Sequence, residues 1–291
     1  MRTSHAIHSI LRRCKRAFAK YLSLKEKQLQ KRLARMGIQV RLDELMTSAY
    51  AAGCYLKEMR PKPSSLYILG ERGLKNELRA AGFSVLPCGL RGERESATTF
   101  SRLPSSERCP PAQVLVTGLD RHVTYAKLAA ALDTLRAGAK WVACNLDPTL
   151  PMENGVHPGS GGVGVCLAYA AGKVKQDGRA ATGGAKRDAR AAGAAFSNII
   201  LREPDAVVGK PNPYMLELLC KECRKSERPS ILFVGDRLDM DIAFANSAGL
   251  SSLLVLSGVT KKEEAKRAKG ILKPGTVLQS VAGVPKWLGL G

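Results

Sequence analysis

Long apolar runs are missing from this chain of 291 residues. None approaches the roughly 18 consecutive apolar residues that a bilayer-spanning helix needs, so no transmembrane helix is expected. Aromatic residues make up only 5% of the chain, and they do not interleave with the basic runs in the way a single-strand platform would need. That removes the stacking platform on which single-stranded nucleic acid would sit. Acids are scarce, 25 Asp and Glu against 46 Lys and Arg, and the first of them is Glu26. The eight cysteines contain one C-x-x-C pair, Cys220 and Cys223, within an expected helix from Tyr214 to Arg224 and with no second pair to close a zinc site. Reduced thiols in a cytoplasmic setting are the simpler reading. The arginine-rich start (Arg2, Arg12, Arg13, Lys15, Arg16, Lys20) suits an organelle import signal and a basic helical extension equally well.

Much of the formal charge of +21 sits in three places. One is the N-terminus; the others are Gly89 to Pro111 and Gly172 to Ala195, rich in small and basic residues without an apolar period. Both read as loops or disordered insertions. Such charge admits RNA or an acidic surface as a partner, but nucleic acid is the weaker expectation without aromatics. With 45% hydrophobic residues the chain can build real cores, and its length suits one large or two medium domains.

Between the basic stretches, short apolar runs alternate with helical ones. Strands are expected at Ser65 to Gly70, Phe83 to Leu86, Ala112 to Gly118, Lys140 to Asn145 and Ser251 to Val259. Helices are expected at Glu71 to Gly82, Thr124 to Gly138, from Pro158 to Gly172 and from Lys261. Strands separated by helices of this length imply right-handed crossovers and a mainly parallel sheet, hence an α/β fold in two units.

Two stretches carry chemistry. In "ILFVGDRLDMDIAFANSAG" (Ile231 to Gly249) a buried strand closed by Gly235 runs into a helix expected from Asp239 to Ala248, with Asp236, Asp239 and Asp241 on the turn. Carboxyl ends of strands in such sheets form ligand crevices. Clustered hard oxygens suit Mg²⁺, and helix capping accounts for the same acids equally well. In "VVGKPNPYM" (Val207 to Met215) two prolines stiffen the turn that holds Lys210, an ammonium suited to phosphoryl oxygens or simply a solvated surface lysine.

Taken together, "GKPNPYM" followed about two dozen residues later by "VGDRLDMDI" resembles the third and fourth motifs of the haloacid dehalogenase-like phosphatases, in the branch of phosphoglycolate phosphatase and 4-nitrophenyl phosphatase. The stretches Thr47 to Glu58, Gly118 to Leu132 and Ala143 to Gly161 are similar to that branch's cap domain. The resemblance implies a Rossmann-like core with a large inserted α/β cap: 1–38 a basic extension and remnant of the core, 39–200 the cap with insertions at 89–111 and 172–195, and 201–291 the rest of the core. It implies an Mg²⁺-dependent phosphatase acting on small phosphate monoesters. Asp236 would bind Mg²⁺ directly, with Asp241 supporting the metal site through water or Lys210. Lys210 would bridge nucleophile and phosphoryl oxygens, and Asp239 would be a less constrained neighbour. Arg121, His122, Asn145 and Asp147, beside Asp120, would meet the substrate from the cap or serve inside it. A homodimer through the cap is left open.

The sequence departs from that pattern at its start. The family's first motif, Asp-x-Asp after a core strand, supplies the nucleophile that forms an aspartyl-phosphate. Here the first aspartate is Asp43, and the sole Asp-x-Asp is Asp239 to Asp241. The second motif is missing too; Ala17 to Gly37 reads as the helix that would follow it, so two central core strands are expected to be absent. Three readings stay open: a phosphatase whose recorded sequence starts too late, a pseudophosphatase that binds or regulates, and a basic interaction protein. The chain as given is expected to be inactive.

Overall fold

The computed structural model describes residues 17–19, 30–31, 34–35, 41, 45–86, 112–152, 155–174, 199–220 and 225–289. The N-terminal basic cluster up to residue 16, the insertion 89–111, most of 172–195, and Cys223 lie outside them. The chain divides into two compact units, one formed by residues up to Tyr55 together with Val208–Gly291, the other by Leu56–Val207.

The first unit begins with β1 (Ala17–Ala19), paired in parallel with β2 (Leu45–Thr47) in the register Ala17 to Leu45 and Ala19 to Thr47. This corrects the expectation of helix from Ala17, although residues 30–31 and 34–35 are helical. Alanine favours helix, but propensity yields to tertiary context, and here the backbone of Ala17–Ala19 pairs along β2. β1 and β2 are thus two parallel strands that the sequence did not suggest. The buried β2 runs straight into α1 (Ser48–Glu58), where Thr47 Oγ1 accepts from the Tyr50 N–H at 3.1 Å. Residues 39–55, assigned to the cap from sequence, thus fall in the first unit because β2 takes its partner there.

The second unit is a five-stranded parallel sheet. Its strands are β3 (Ser65–Leu69), β4 (Ser84–Val85), β5 (Val114–Thr117), β6 (Lys140–Ala143) and, across an antiparallel hairpin and a short pair, β11 (Ala206–Val207). The hairpin is β7 (Thr149–Met152) with β8 (Gly155–Pro158); the short pair is β9 (Lys173–Val174) with β10 (Ile199–Ile200). The spatial order is β11-β6-β5-β3-β4. Between the strands run α2 (Arg72–Ala80), α3 (Tyr125–Arg136) and α4 (Ser160–Ala170). Residues 201–207 belong to this unit because β11 pairs with β6.

Helix α3 lays Ala126, Ala130, Ala131 and Leu135 against Tyr67, Leu69, Leu115 and Trp141 of the sheet. The small alanines let the helix approach closely, and each large side chain buried there contributes about 1.5–3 kcal/mol. Polar tips inside this core find partners: Trp141 Nε1 donates to Thr117 Oγ1 at 2.9 Å, and the Tyr67 hydroxyl donates to the Lys127 carbonyl at 3.2 Å. No helix among the described residues is long and apolar enough to cross a membrane.

The chain then returns to the first unit through α5 (Tyr214–Leu219), shorter than the helix expected to Arg224. A parallel sheet follows: β12 (Leu232–Gly235), β13 (Ser251–Val255) and β14 (Thr276–Leu278), in that order. Between β12 and β13 the backbone makes a π-helical turn, Leu238–Ile242, before α6 (Ala243–Ser247). Strand β13 stops four residues short of the expected Val259: the Leu256 N–H still donates to Leu278 O on β14, but the N–H groups of Val259 and Thr260 turn to a different acceptor, described below.

Candidate active site

Asp236 is the first residue beyond β12, and the π-helical turn fixes what surrounds it. Arg237 O accepts from both Asp241 N at 3.0 Å and Ile242 N at 3.1 Å. The wider turn swings Asp241 back under its own start. Its Oδ2 accepts from the backbone N–H groups of Asp236 and Arg237, each at 3.1 Å. Gly235 is needed for this, since a Cβ there would lie 2.2 Å from Asp241 Cβ. Such π turns recur at functional sites because they re-aim one side chain without ending the helix.

The other oxygen of Asp241 accepts from Lys210 Nζ at 2.5 Å; the two side chains are 6% and 19% exposed. A buried ion pair persists only when its lone pairs and protons are satisfied, as three donors on one carboxylate achieve here. The Lys210 ammonium also lies 5.6 Å from the centre of the Phe233 ring on β12. Lys210, Asp236 and Asp241 are thus brought together. Asp239 stands apart, half-exposed, with its two oxygens taken by Arg237 Nε at 3.0 Å and Nη2 at 2.6 Å.

Asp236 itself is half-buried, and its Oδ2 accepts from Val259 N at 2.9 Å. Its Oδ1 has no hydrogen-bond partner among the described residues. Asp241 takes the capping role, accepting from two backbone N–H groups and the lysine, while among the described residues no donor engages Asp236 Oδ1. Among the described residues no three His, Cys, Asp or Glu side chains converge as a metal cage. A single free carboxylate oxygen at a strand end, with no soft ligands, fits a hard cation that keeps most of its waters.

In the second unit the other four residues named from sequence lie at the ends of adjacent strands β5 and β6. The Arg121 guanidinium forks onto Glu71, Nε to Oε1 at 2.6 Å and Nη2 to Oε2 at 3.1 Å. The hydrogen bond to Glu71, and then its charge, raise the arginine pKa further. His122 is exposed; its N–H donates to Asp120 Oδ1 at 2.9 Å, and its carbonyl accepts from Lys127 Nζ at 2.7 Å. Lys127 also donates to Asp120 Oδ2 at 3.0 Å, which neutralises that buried acid. Asn145 and Asp147 are buried and joined by a short bond from Asn145 Nδ2 to Asp147 Oδ2. The start of α4 closes over them: Ser160 Oγ donates to Asn145 O and Gly161 N to Asp147 O, both at 2.9 Å. Gly159 permits that approach, because a Cβ would lie 2.2 Å from Asp147 O.

Sequence reasoning missed Glu71, whose partner lies 50 residues away, and the backbone donor at Val259. Neither leaves a local signal, since one depends on strand order and the other uses no side chain.

The haloacid dehalogenase-like hydrolase profile matches residues 22–84, and the HAD-hydrolase-like profile matches 207–284. Phosphoglycolate phosphatase 2 of Arabidopsis thaliana is 30% identical over 248 residues, covering 84% of this chain and 71% of that protein. The 4-nitrophenylphosphatase of Schizosaccharomyces pombe is 28% identical over 250 residues, covering 84% and 73%. The crystal structure of a glycerol phosphate phosphatase from Mycobacterium tuberculosis in complex with magnesium superposes with a TM-score of 0.66 at 28% identity, covering 96% of this chain and 69% of that one. The chain spans only part of the length of the curated relatives it matches, 54% in one and 73% in another. It belongs to the haloacid dehalogenase-like phosphatases, in the branch that holds phosphoglycolate phosphatase and 4-nitrophenylphosphatase.

Proposed function

We propose that this chain carries the magnesium and phosphoryl-binding part of a phosphatase for small phosphate monoesters of the 2-phosphoglycolate or 4-nitrophenyl phosphate type. Asp236 would ligate Mg²⁺ through Oδ1, and the metal would neutralise charge on the phosphoryl oxygens. Lys210, aimed by Asp241, would bind one of those oxygens, a preorganised charge of the kind that stabilises phosphoryl transfer. Asp241 would reach the metal only through water, since both its oxygens already accept hydrogen bonds. The second unit would act as the cap that selects substrate, with Arg121, His122, Asn145 and Asp147 at its strand ends. A homodimer through that cap is part of the same reading.

The single observation that carries this proposal is the contrast on the acid turn: Asp241 accepts from Lys210 and two backbone N–H groups, while Asp236 keeps one oxygen that no described donor engages. A second reading, a binding or regulatory protein without turnover, is favoured by a different fact: the sole Asp-x-Asp in the sequence is the pair on this same turn. Among the described residues β12 also has a strand partner on one side only, and an aspartate on a strand added to its other side would stand next to Asp236.

Phosphate release from 2-phosphoglycolate, glycerol 3-phosphate and 4-nitrophenyl phosphate tests both readings. The purified chain is expected to release none above the Mg²⁺ blank, yet to bind inorganic phosphate only when Mg²⁺ is present. Turnover abolished by Asp236→Asn would show that the chain carries its own nucleophile. Phosphate binding indifferent to Asp236→Asn would remove the site altogether.

A further inference from the structure

The loop after β13 contains no side chain with obvious chemistry, yet three of its residues converge on Asp236. Val259 N donates to Asp236 Oδ2 at 2.9 Å, and Thr260 N donates to the Asp236 carbonyl at 3.0 Å. Thr260 is buried, which anchors the loop's far side. Gly258 sits against the carboxylate: a Cβ added there would lie 2.1 Å from Asp236 Oδ2 and 2.5 Å from Cγ. The loop therefore approaches as closely as a backbone can and commits one oxygen of the carboxylate to an N–H.

From this the geometry points to Gly258 and Val259 as positioning residues that set metal selectivity. With Oδ2 engaged, Asp236 presents Oδ1 alone and can bind a cation through one oxygen. Magnesium demands near-octahedral geometry and accepts single carboxylate oxygens readily, whereas calcium takes six to eight oxygens and often chelates both oxygens of one carboxylate. Pinning Oδ2 costs calcium a ligand and costs magnesium nothing. Outer partners of this kind fix ligand orientation, and their loss commonly lowers metal affinity by 10- to 100-fold.

The inference rests on Asp236 being a metal ligand, and its test separates the two claims. Mg²⁺ and Ca²⁺ affinities are measured by competition against Mn²⁺, followed by electron paramagnetic resonance, for the wild type, Val259→Pro, Gly258→Ala and Asp236→Asn. Wild-type Mn²⁺ binding that survives Asp236→Asn would overturn the ligand assignment itself. Val259→Pro removes the donor and is expected to shift the Mg²⁺ to Ca²⁺ affinity ratio toward calcium by about tenfold. Gly258→Ala, which must displace the carboxylate, is expected to weaken both metals by about tenfold or more while melting in EDTA near the wild-type temperature. A ratio unchanged in Val259→Pro overturns the proposal, because a purely structural loop would lower both affinities in parallel. Two variants that both unfold at room temperature in EDTA would overturn it as well, by assigning the loop to folding.

Discussion

The pair Lys210 and Asp241 gives the sharpest energetic prediction. Removing one partner of a buried ion pair leaves the other charged and unpaired, which costs about 3–5 kcal/mol. Asp241→Asn should fall in that range: its remaining oxygen can still serve the N–H groups of Asp236 and Arg237, but its amide turns a donor toward the ammonium. Lys210→Met should cost less, about 2 kcal/mol, since Asp241 keeps two backbone donors. In the double variant the conflict disappears, so its cost should fall short of the sum by about 2 kcal/mol. Urea unfolding followed by far-ultraviolet circular dichroism measures the cycle, with Trp141 emission in a Trp287→Phe background as a separate reporter of the second unit. The coupling should persist in saturating Mg²⁺, because Lys210 and not the metal holds Asp241. Additive costs, within about 0.5 kcal/mol, would refute the reasoning. Loss of coupling on adding Mg²⁺ would make Asp241 a direct ligand.

Other outcomes follow from the second unit. Burial pushes the Cys144 thiol up to about 12 from 9.0, so the native protein should leave Cys144 unlabelled by a thiol reagent at pH 8 while the exposed Cys166 reacts, as peptide mapping would show. Because that folded pKa is raised, the contribution of the neutral thiol to stability is complete below 9.0 and lost as pH rises through about 12. Asp205 behaves in the opposite sense. Burial alone would raise its pKa, but the Trp141 N–H, Arg202 and Lys140 together hold it below 3.8. Its stabilisation is therefore present above 3.8 and lost as pH falls through the lower folded value, so the stability gap between wild type and Asp205→Asn should close on acidification. A gap that stays constant through that range would mean the carboxylate is not held by those partners.

How legible the protein is depends on where the information sits. The acid turn could be read because its chemistry lies in side chains next to a strand with an apolar signature, Ile231 to Gly235. The alternation of strands and helices in the cap was equally visible, as was Gly138 beyond the end of α3, where a positive φ of 94° favours glycine. What could not be read depends on partners distant in sequence. β1 exists because β2 offers an edge 28 positions away, Ala17 against Leu45. The hairpin of β7 and β8 has no alternating pattern to announce it, since its eight residues include two prolines and β8 is exposed throughout. The Gly258 to Thr260 loop works through backbone N–H groups, which every residue except proline carries. Strand pairing and not composition likewise decides to which of the two units residues 39–55 and 201–207 belong.

The central claim is that Asp236 holds a divalent metal beside a lysine kept in place by Asp241. Calorimetric titration of Mg²⁺ into the wild type and into Asp236→Asn tests it most directly. The account predicts one binding site in the wild type, lost in Asp236→Asn and retained in Asp239→Asn, whose carboxylate is turned toward Arg237. Equal Mg²⁺ affinity in the wild type and Asp236→Asn would contradict it.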